Sequence, residues 1–382
     1  MSASESAAWP AHGVEVATRV PPLIADLTFG VPASLTSANE RALGALGAID
    51  AEATGQPLAL ARFMIRSESV ASSKIERVTA SAKDFALAIA GNKSNVSAMS
   101  MVAATAALST MVDTAGRTGR IERADLERAH AALMADDPRE APFAGKTRDA
   151  QNWIGGSDYS PRGALYVPPA PDRVDALLDD LIAFANRDDV PTIAQATIAH
   201  AQFESIHPFG DGNGRIGRAL IGAILRRRRI TQSSVVPVAS GLLARRDDYF
   251  DALSLYREGD LKPPHELMLR SATVAAEEGL PSVRRIKRLP TEWAERADAR
   301  RGSTAAALLP AFFDSPVMSA FEIEAITGTG SPAVYAAIAR LEEDGIIHEI
   351  TGRKRNRVWA ASDLMEELDR LDARIASRMR SR

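Results

Sequence analysis

The run His207-Pro208-Phe209-Gly210-Asp211-Gly212-Asn213-Gly214-Arg215-Ile216-Gly217-Arg218 leads into a helix. From Ile216 onward, Ala219, Leu220, Ala223 and Ile224 follow the i, i+3, i+4, i+7, i+8 spacing of a core-facing helix that begins near Gly212 or Asn213. A glycine-rich loop entering a helix leaves backbone N–H groups free, and the helix dipole favours an anion there, so Gly212 and Gly214 let a phosphate approach the chain closely. Arg215 and Arg218, three residues apart on the first turn, can both reach one phosphate chain. Asp211 is placed to hold a Mg²⁺ that neutralises the phosphates. His207, with an ordinary pKa near ~6.5, can take a proton from an incoming hydroxyl. Together these residues describe in-line attack of a hydroxyl on phosphorus.

Around this run the chain of 382 residues is long enough for two or three packed units, with ample apolar content for a core. A net charge of −3 gives no global basic field, so any nucleic-acid contact must be local. The absence of cysteine excludes disulfides and thiolate metal sites. The first residues carry no basic, apolar leader, and no later stretch is expected to be apolar for long enough to span a bilayer, so a soluble cytoplasmic protein without membrane contact is expected.

The fold expected is mainly α. Residues 1–36 read as an extended arm and 37–117 as an Ala-rich helical region, with Ser37 as N-cap and Leu43, Leu46, Ile49 and Ala53 at helical spacing. A catalytic core is expected over 118–280, with a hairpin at about 150–168 from Asn152–Ile154 and Leu165–Val167. Residues 281–303 read as a charged linker or helix. Residues 304–382 read as a helix-turn-helix with a wing, closed by a C-terminal helix. In it, Ser331-Pro332 starts a helix with Val334, Ile338 and Leu341 on one stripe, and Ile346–Ile350 pairs with Arg357–Ala360.

The twelve-residue run resembles the signature of the Fic (filamentation) family, H-x-F-x-[DE]-G-N-G-R-x-x-R, and fills every fixed position. The resemblance implies a Fic-type helical core with a small hairpin flap and a protein adenylyltransferase activity, moving AMP from ATP to a Tyr, Ser or Thr hydroxyl of a target protein or of the chain itself. It implies His207 as base, Asp211 as Mg²⁺ ligand, and Gly212, Asn213 and Gly214 as the anion hole for the α-phosphate. Arg215 would meet the β-phosphate, Arg218 the γ-phosphate, and Phe209 would anchor the loop in the core. Ile154, Leu165, Tyr166 and Val167 would belong to the flap that docks the target by strand addition. Tyr249, in Tyr249-Phe250-Asp251-Ala252-Leu253, would help wall the nucleotide base, with Arg257 where some members carry an asparagine.

Ser72-Ser73-Lys74-Ile75-Glu76-Arg77 resembles the family's inhibitory motif, [ST]-x-x-x-E-[GN], with Arg77 in place of Gly or Asn. The resemblance implies that Glu76 pairs with Arg218, with Ser72 on the same helix face. His200 and His207 are seven apart, against the i, i+4 spacing of helical zinc pairs. The basic run Arg226–Arg229 is expected to face solvent at a helix end. Arg353, Lys354, Arg355 and Arg357 in the wing are the candidates for DNA contact. Two other readings stay open: a nucleotide-sensing DNA-binding regulator, and a Fic enzyme with another phosphate-containing donor. Homo-oligomerisation is open as well.

Overall fold

The computed structural model describes residues 3–9, 14–55, 58–157, 159–328, 331–353 and 355–381. The chain begins with an antiparallel pair, β1 (Ala3–Trp9) and β2 (Val14–Val20), with Ala3 opposite Val20 and Trp9 opposite Val14. Beyond β2 the backbone is strapped down by polar groups. The N–H groups of Ile24 and Ala25 donate to the Asp180 carboxylate at 2.6 and 3.0 Å, Arg187 donates to the carbonyls of Ala25 and Leu27, and Gln202 donates to that of Pro22.

Next in the chain are five helices: α1 (Thr36–Ala53), α2 (Leu58–Ile75), α3 (Ala82–Ile89), α4 (Val96–Thr118) and α5 (Arg123–Met134). A single 3₁₀ turn over Ala33–Leu35 runs straight into α1, so the helix starts at Thr36 with Leu35 at its N-cap, and the expected cap at Ser37 is corrected. Leu46, Ile49 and Ala53 are buried, as their spacing requires.

After the loop region come α6 (Pro171–Ala185), α7 (Thr192–Ile206), α8 (Asn213–Arg227), α9 (Val238–Ala244), α10 (Arg246–Glu258) and α11 (Lys262–Ala297). Every residue of α7 from Ile193 to Ile206 is buried. A helix buried all round carries no amphipathic stripe, and this one is the post on which the functional loop stands. Against it lies α8, which packs on its other side against α4. The long α11 lies along α1 and also meets α9 and α10. The expected boundary at 280/281 falls inside α11, so the charged stretch is its second half.

Two sequence expectations are corrected by this packing. Val96–Thr118 is long and apolar enough to cross a membrane, at 23 residues and a mean hydropathy of 1.3. In this fold its buried positions, among them Met101, Leu108, Met111 and Val112, face α2, α5 and α8. The basic run at the end of α8 does not simply face solvent. Arg226 donates to Ser234 O, Arg227 to Asn186 O and Arg228 to Val190 O and Gln195 Oε1, because guanidinium groups supply donors to loop carbonyls that have none.

The C-terminal part contains α12 (Thr304–Asp314), β3 (Val317–Ser319), α13 (Ala320–Thr327), α14 (Ser331–Glu343), β4 (Ile347–Glu349), β5 (Val358–Ala361) and α15 (Ser362–Arg380). The three strands form an antiparallel sheet in the order β3-β5-β4. Val334, Ile338 and Leu341 are buried on one stripe of α14. Strand β3 was not foreseen, because three residues cannot display alternation. Ser319 caps α13 in a capping box with Glu322. The closing helix α15 reaches back to α2, where Asp372 lies 3.4 Å from Lys74 Nζ and accepts from Ser240 at 3.0 Å.

The end of α2 is closed by its own backbone. Val78 N–H donates to Ser73 O and Arg77 N–H to Lys74 O, the paired bonds of a Schellman ending with Glu76 as cap and Arg77 beyond it. Arg77 accordingly takes φ 60°, a left-handed conformation that costs a residue with a Cβ about 1 kcal/mol or more. Arg77→Gly is therefore expected to raise the free energy of unfolding by about 1 kcal/mol in urea titration. A loss of stability would show that the arginine side chain holds this ending.

Candidate functional site

His207 ends α7 in a left-handed conformation, φ 50°, which turns the chain sharply out of the helix. A buried arginine that spacing could not reveal secures that turn. Arg148 donates from Nε to His207 O at 2.9 Å, and from its terminal nitrogens to the carbonyls of Ile206, Ala150 and Pro169. Carbonyls left over at a helix C-terminus are thereby met by a cation, where the dipole favours one.

The loop is fixed from below by Phe209, fully buried and stacked on His130 at 3.9 Å between centroids. Gly145 N–H donates to His130 Nδ1, so His130 carries its hydrogen on Nε2 and gives it to Asp211 O at 3.1 Å. Asn213 closes the loop on itself. Its Oδ1 accepts from Phe209 N–H, while its Nδ2 donates to Phe209 O and reaches His207 Nδ1 at 3.2 Å. Asn152, from the region expected as a flap, also places Nδ2 3.0 Å from His207 Nδ1 and donates to Phe209 O. His207 Nδ1 thus faces two amide donors and acts as an acceptor.

At Gly212, φ 76°, the chain enters α8, and a Cβ there would overlap the end of Met134. Above the first turn of α8 lies the Glu76 carboxylate, so close that a Cβ on Gly214 would overlap Glu76 Oε1. Glu76 Oε1 accepts from Arg218 NH2 at 2.8 Å. Arg218, only 1% exposed, also donates to Ser72 Oγ and Ser72 O at 2.8 and 2.9 Å. Arg215 turns the other way, donating to Ser100 Oγ at 2.6 Å, with Asp211 Oδ2 3.6 Å from its NH2. The Asp211 carboxylate is largely exposed.

The structure therefore gathers His207, Asp211, Gly212, Asn213, Gly214, Arg215, Arg218, Ser72 and Glu76. Tyr249 lies buried behind Arg218, its hydroxyl 3.3 Å from Arg218 NH1 and 2.9 Å from His200 Nε2. The same bond takes up the Nε2 atom of His200, which removes the pairing with His207 as a metal site. Among the described residues no three His, Cys, Asp or Glu converge to hold a metal.

The hairpin is reduced to two isolated bridges, Ile154 with Tyr166 and Ser157 with Ser160, because Gly155, Gly156 and Gly163 take left-handed turns and Pro168 and Pro169 offer no N–H. Leu165 is 87% exposed. Tyr166 is buried, with its hydroxyl on Ser205 O, and Val167 O already accepts from Arg19 N–H. Between β4 and β5, Arg353 and Arg355 are exposed, Arg357 lies over the Trp359 ring at 4.9 Å, and Lys354 falls outside the described residues. The outer face of α14 presents Pro332, Ala333, Tyr335, Ala336 and Ala339, which offer few groups for reading base edges.

Residues 120–225 match the Fic/DOC family. This segment is a Fic/DOC family domain. Over 104 residues the chain is 36% identical to a protein of Aquifex aeolicus (strain VF5) named a probable protein adenylyltransferase, a match covering 27% of this chain and 30% of that one. Over 143 residues it is 31% identical to Protein adenylyltransferase fic-1 of Caenorhabditis briggsae, covering 36% of this chain and 25% of that one. The Fic region thus matches less than a third of the length of these relatives. A Fic family protein from Desulfovibrio desulfuricans G20 shares the fold, with a TM-score of 0.54 and 23% identity over 87% of this chain and 98% of that one. Fic-1 (aa134–508) from C. elegans gives a TM-score of 0.51 at 20% identity over 66% of this chain and 74% of that one. The chain has a mainly helical Fic-type fold with a small antiparallel sheet near the C-terminus.

Burial sets the protonation of the domain's interior. It lowers His207 and His200 to about 3, aided by neighbouring arginines, and His130 and His265 to about 4. It raises Glu68 to about 8 and Glu204 to about 7. Below ~6.5 the unfolded chain takes up protons at these histidines that the folded chain refuses, so their contribution to stability is lost as pH falls. Above ~4.3 the unfolded chain releases glutamate protons that the folded chain retains, so that contribution is lost as pH rises toward 8. The melting temperature is therefore expected to peak between about pH 6 and 7. Melting temperatures that go on rising below pH 5 would contradict the buried neutral histidines.

Proposed function

We propose that the chain is a protein adenylyltransferase held in an inhibited state by its own Glu76. One observation carries this: the carboxylate of Glu76 lies on Arg218 near the start of α8, the helix that follows the His207 loop. A carboxylate and a phosphate compete for the same guanidinium, and by the family resemblance Arg218 is the γ-phosphate residue. In the reaction a target hydroxyl oxygen forms a bond to the α-phosphorus of ATP while the bond to the β-phosphate oxygen breaks. Pyrophosphate leaves, and the hydroxyl proton passes to His207.

The N–H groups of the Gly212–Gly214 turn and the start of α8 would receive the α-phosphate, with Arg215 on the β-phosphate. The exposed Asp211 carboxylate fits a Mg²⁺ that takes its other ligands from phosphate and water, and that ion would neutralise the charge of the phosphates. Accepting the proton at Nε2 requires that His207 carry its resting hydrogen on Nδ1. Asn152, whose Oδ1 is buried without a partner among the described residues, can receive that hydrogen if its carboxamide turns over, with Phe209 O then served by Asn213 Nδ2 alone and both amide N–H groups drawn off Nδ1. The exposed Leu165 edge would meet the target. We read the C-terminal unit as a winged helix and the protein as cytoplasmic.

Wild type, Glu76→Gly and His207→Ala are to be compared with α-labelled ATP and Mg²⁺, the adducts being mapped by mass spectrometry. Glu76→Gly is expected to transfer label at least about tenfold faster than wild type, as the loss of a charge-assisted hydrogen bond implies, and His207→Ala to transfer none. A folded Glu76→Gly protein that binds ATP but labels no protein would leave nucleotide sensing in place of transfer. An adduct of another mass would change the donor.

A further inference from the structure

Arg218 is almost wholly buried, yet nearly all of its partners belong to one short segment. Its Nε donates to Ser72 Oγ, and its NH2 to Ser72 O and Glu76 Oε1, all at the end of α2. Among the described residues, only its bond to Tyr249 OH, at 3.3 Å from NH1, comes from elsewhere, from α10. If the end of α2 moves away to release the site, these three bonds go together and the Tyr249 bond stays.

The direction of that bond is fixed by chemistry. A guanidinium can only donate, so the Tyr249 oxygen must accept, and its own hydrogen must go elsewhere. Its other neighbour is His200 Nε2 at 2.9 Å, in a ring nearly parallel to that of Tyr249. His200 must then present a lone pair at Nε2, which requires a neutral ring with its hydrogen on Nδ1. Burial, with the Arg218 charge nearby, keeps His200 neutral, its pKa lowered to about 3. Both residues are held by packing, Tyr249 at 3% and His200 at 2% exposure, on α10 and α7, which pack against each other and against α11, while Arg246 at the start of α10 also donates to Ile75 O at the end of α2. One turn further along α7, Glu204 adds a negative field that favours the Arg218 charge, and its Oε1 is buried without a hydrogen-bond partner among the described residues.

We propose that Tyr249, backed by His200, is a positioning residue that keeps Arg218 aimed at the nucleotide's terminal phosphate once Glu76 has withdrawn. Glu76 restrains the arginine in the closed site, and the Tyr249–His200 pair restrains it in the open one. The proposal rests on the reading of Arg218 as the γ-phosphate residue, which ties its effect to one phosphate.

The test measures ATP and ADP affinity by calorimetry in the full chain carrying Glu76→Gly, and KM and kcat for AMP transfer in the same proteins. Adding Tyr249→Phe keeps the ring and is expected to weaken ATP about tenfold while leaving ADP within about twofold, with KM for ATP raised and kcat nearly unchanged. His200→Gln, whose carbonyl can take the tyrosine hydrogen, is expected to keep the preference for ATP, and His200→Leu to lose it. Equal weakening of ATP and ADP by Tyr249→Phe would make its role merely structural and overturn the proposal. An unchanged ATP affinity would overturn it too. If Glu76→Gly alone fails to prefer ATP over ADP, Arg218 is not the γ-phosphate residue, and the proposed function falls together with this inference.

Discussion

A guanidinium with almost no access to water must have every donor met, and in this protein that demand falls on Arg218. A buried cation without partners is far more costly than any surface arrangement, so the elements around it are constrained by its needs. The end of α2 gives a hydroxyl, a carbonyl and a carboxylate, α10 gives a phenol, and α7 gives the imidazole behind that phenol. Two helices, α2 and α10, thus meet on one side chain of α8, and α7 backs it through the phenol. The Schellman ending of α2 serves the same point, since the cap residue of that ending is Glu76.

The loop before α8 is held by different means. Arg148 gathers the carbonyls at the end of α7, His130 takes Asp211 O, and Asn213 and Asn152 both bind Phe209 O. These are donor-to-carbonyl contacts from side chains outside the loop or at its far end; of the loop amides, Phe209 N–H goes to Asn213 Oδ1 and Gly212 N–H to Asp211 Oδ1. The N–H groups of the first turn of α8 beyond them point out of the helix start, where an anion is favoured.

The segment from His207 to Arg218 was legible because its chemistry is contiguous: glycines, arginines, an aspartate and a histidine at fixed offsets. The pairing of Glu76 with Arg218 was legible only through a family resemblance, since nothing local links positions so far apart. Arg148, His130 and Ser100 were not legible at all. Each is a common residue on a segment without unusual spacing, and its role comes from tertiary proximity alone. For Tyr249 the family pattern marked the segment, while its contacts with Arg218 and His200 come from tertiary proximity. Strand β3 was too short for any periodicity to show, and the apolar content of α4 was underestimated because serines and threonines are scattered through its alanines and methionines.

The missing side chain at Gly214 ties two properties into one heritable unit. The hollow it leaves is where the Glu76 carboxylate rests and is also the approach to the first amides of α8. Any side chain at position 214 would have to displace the Glu76 carboxylate and would crowd the helix start in a single step. A smaller residue at position 76 empties the hollow and leaves the glycine backbone as it is, whereas a larger one at position 214 disturbs both.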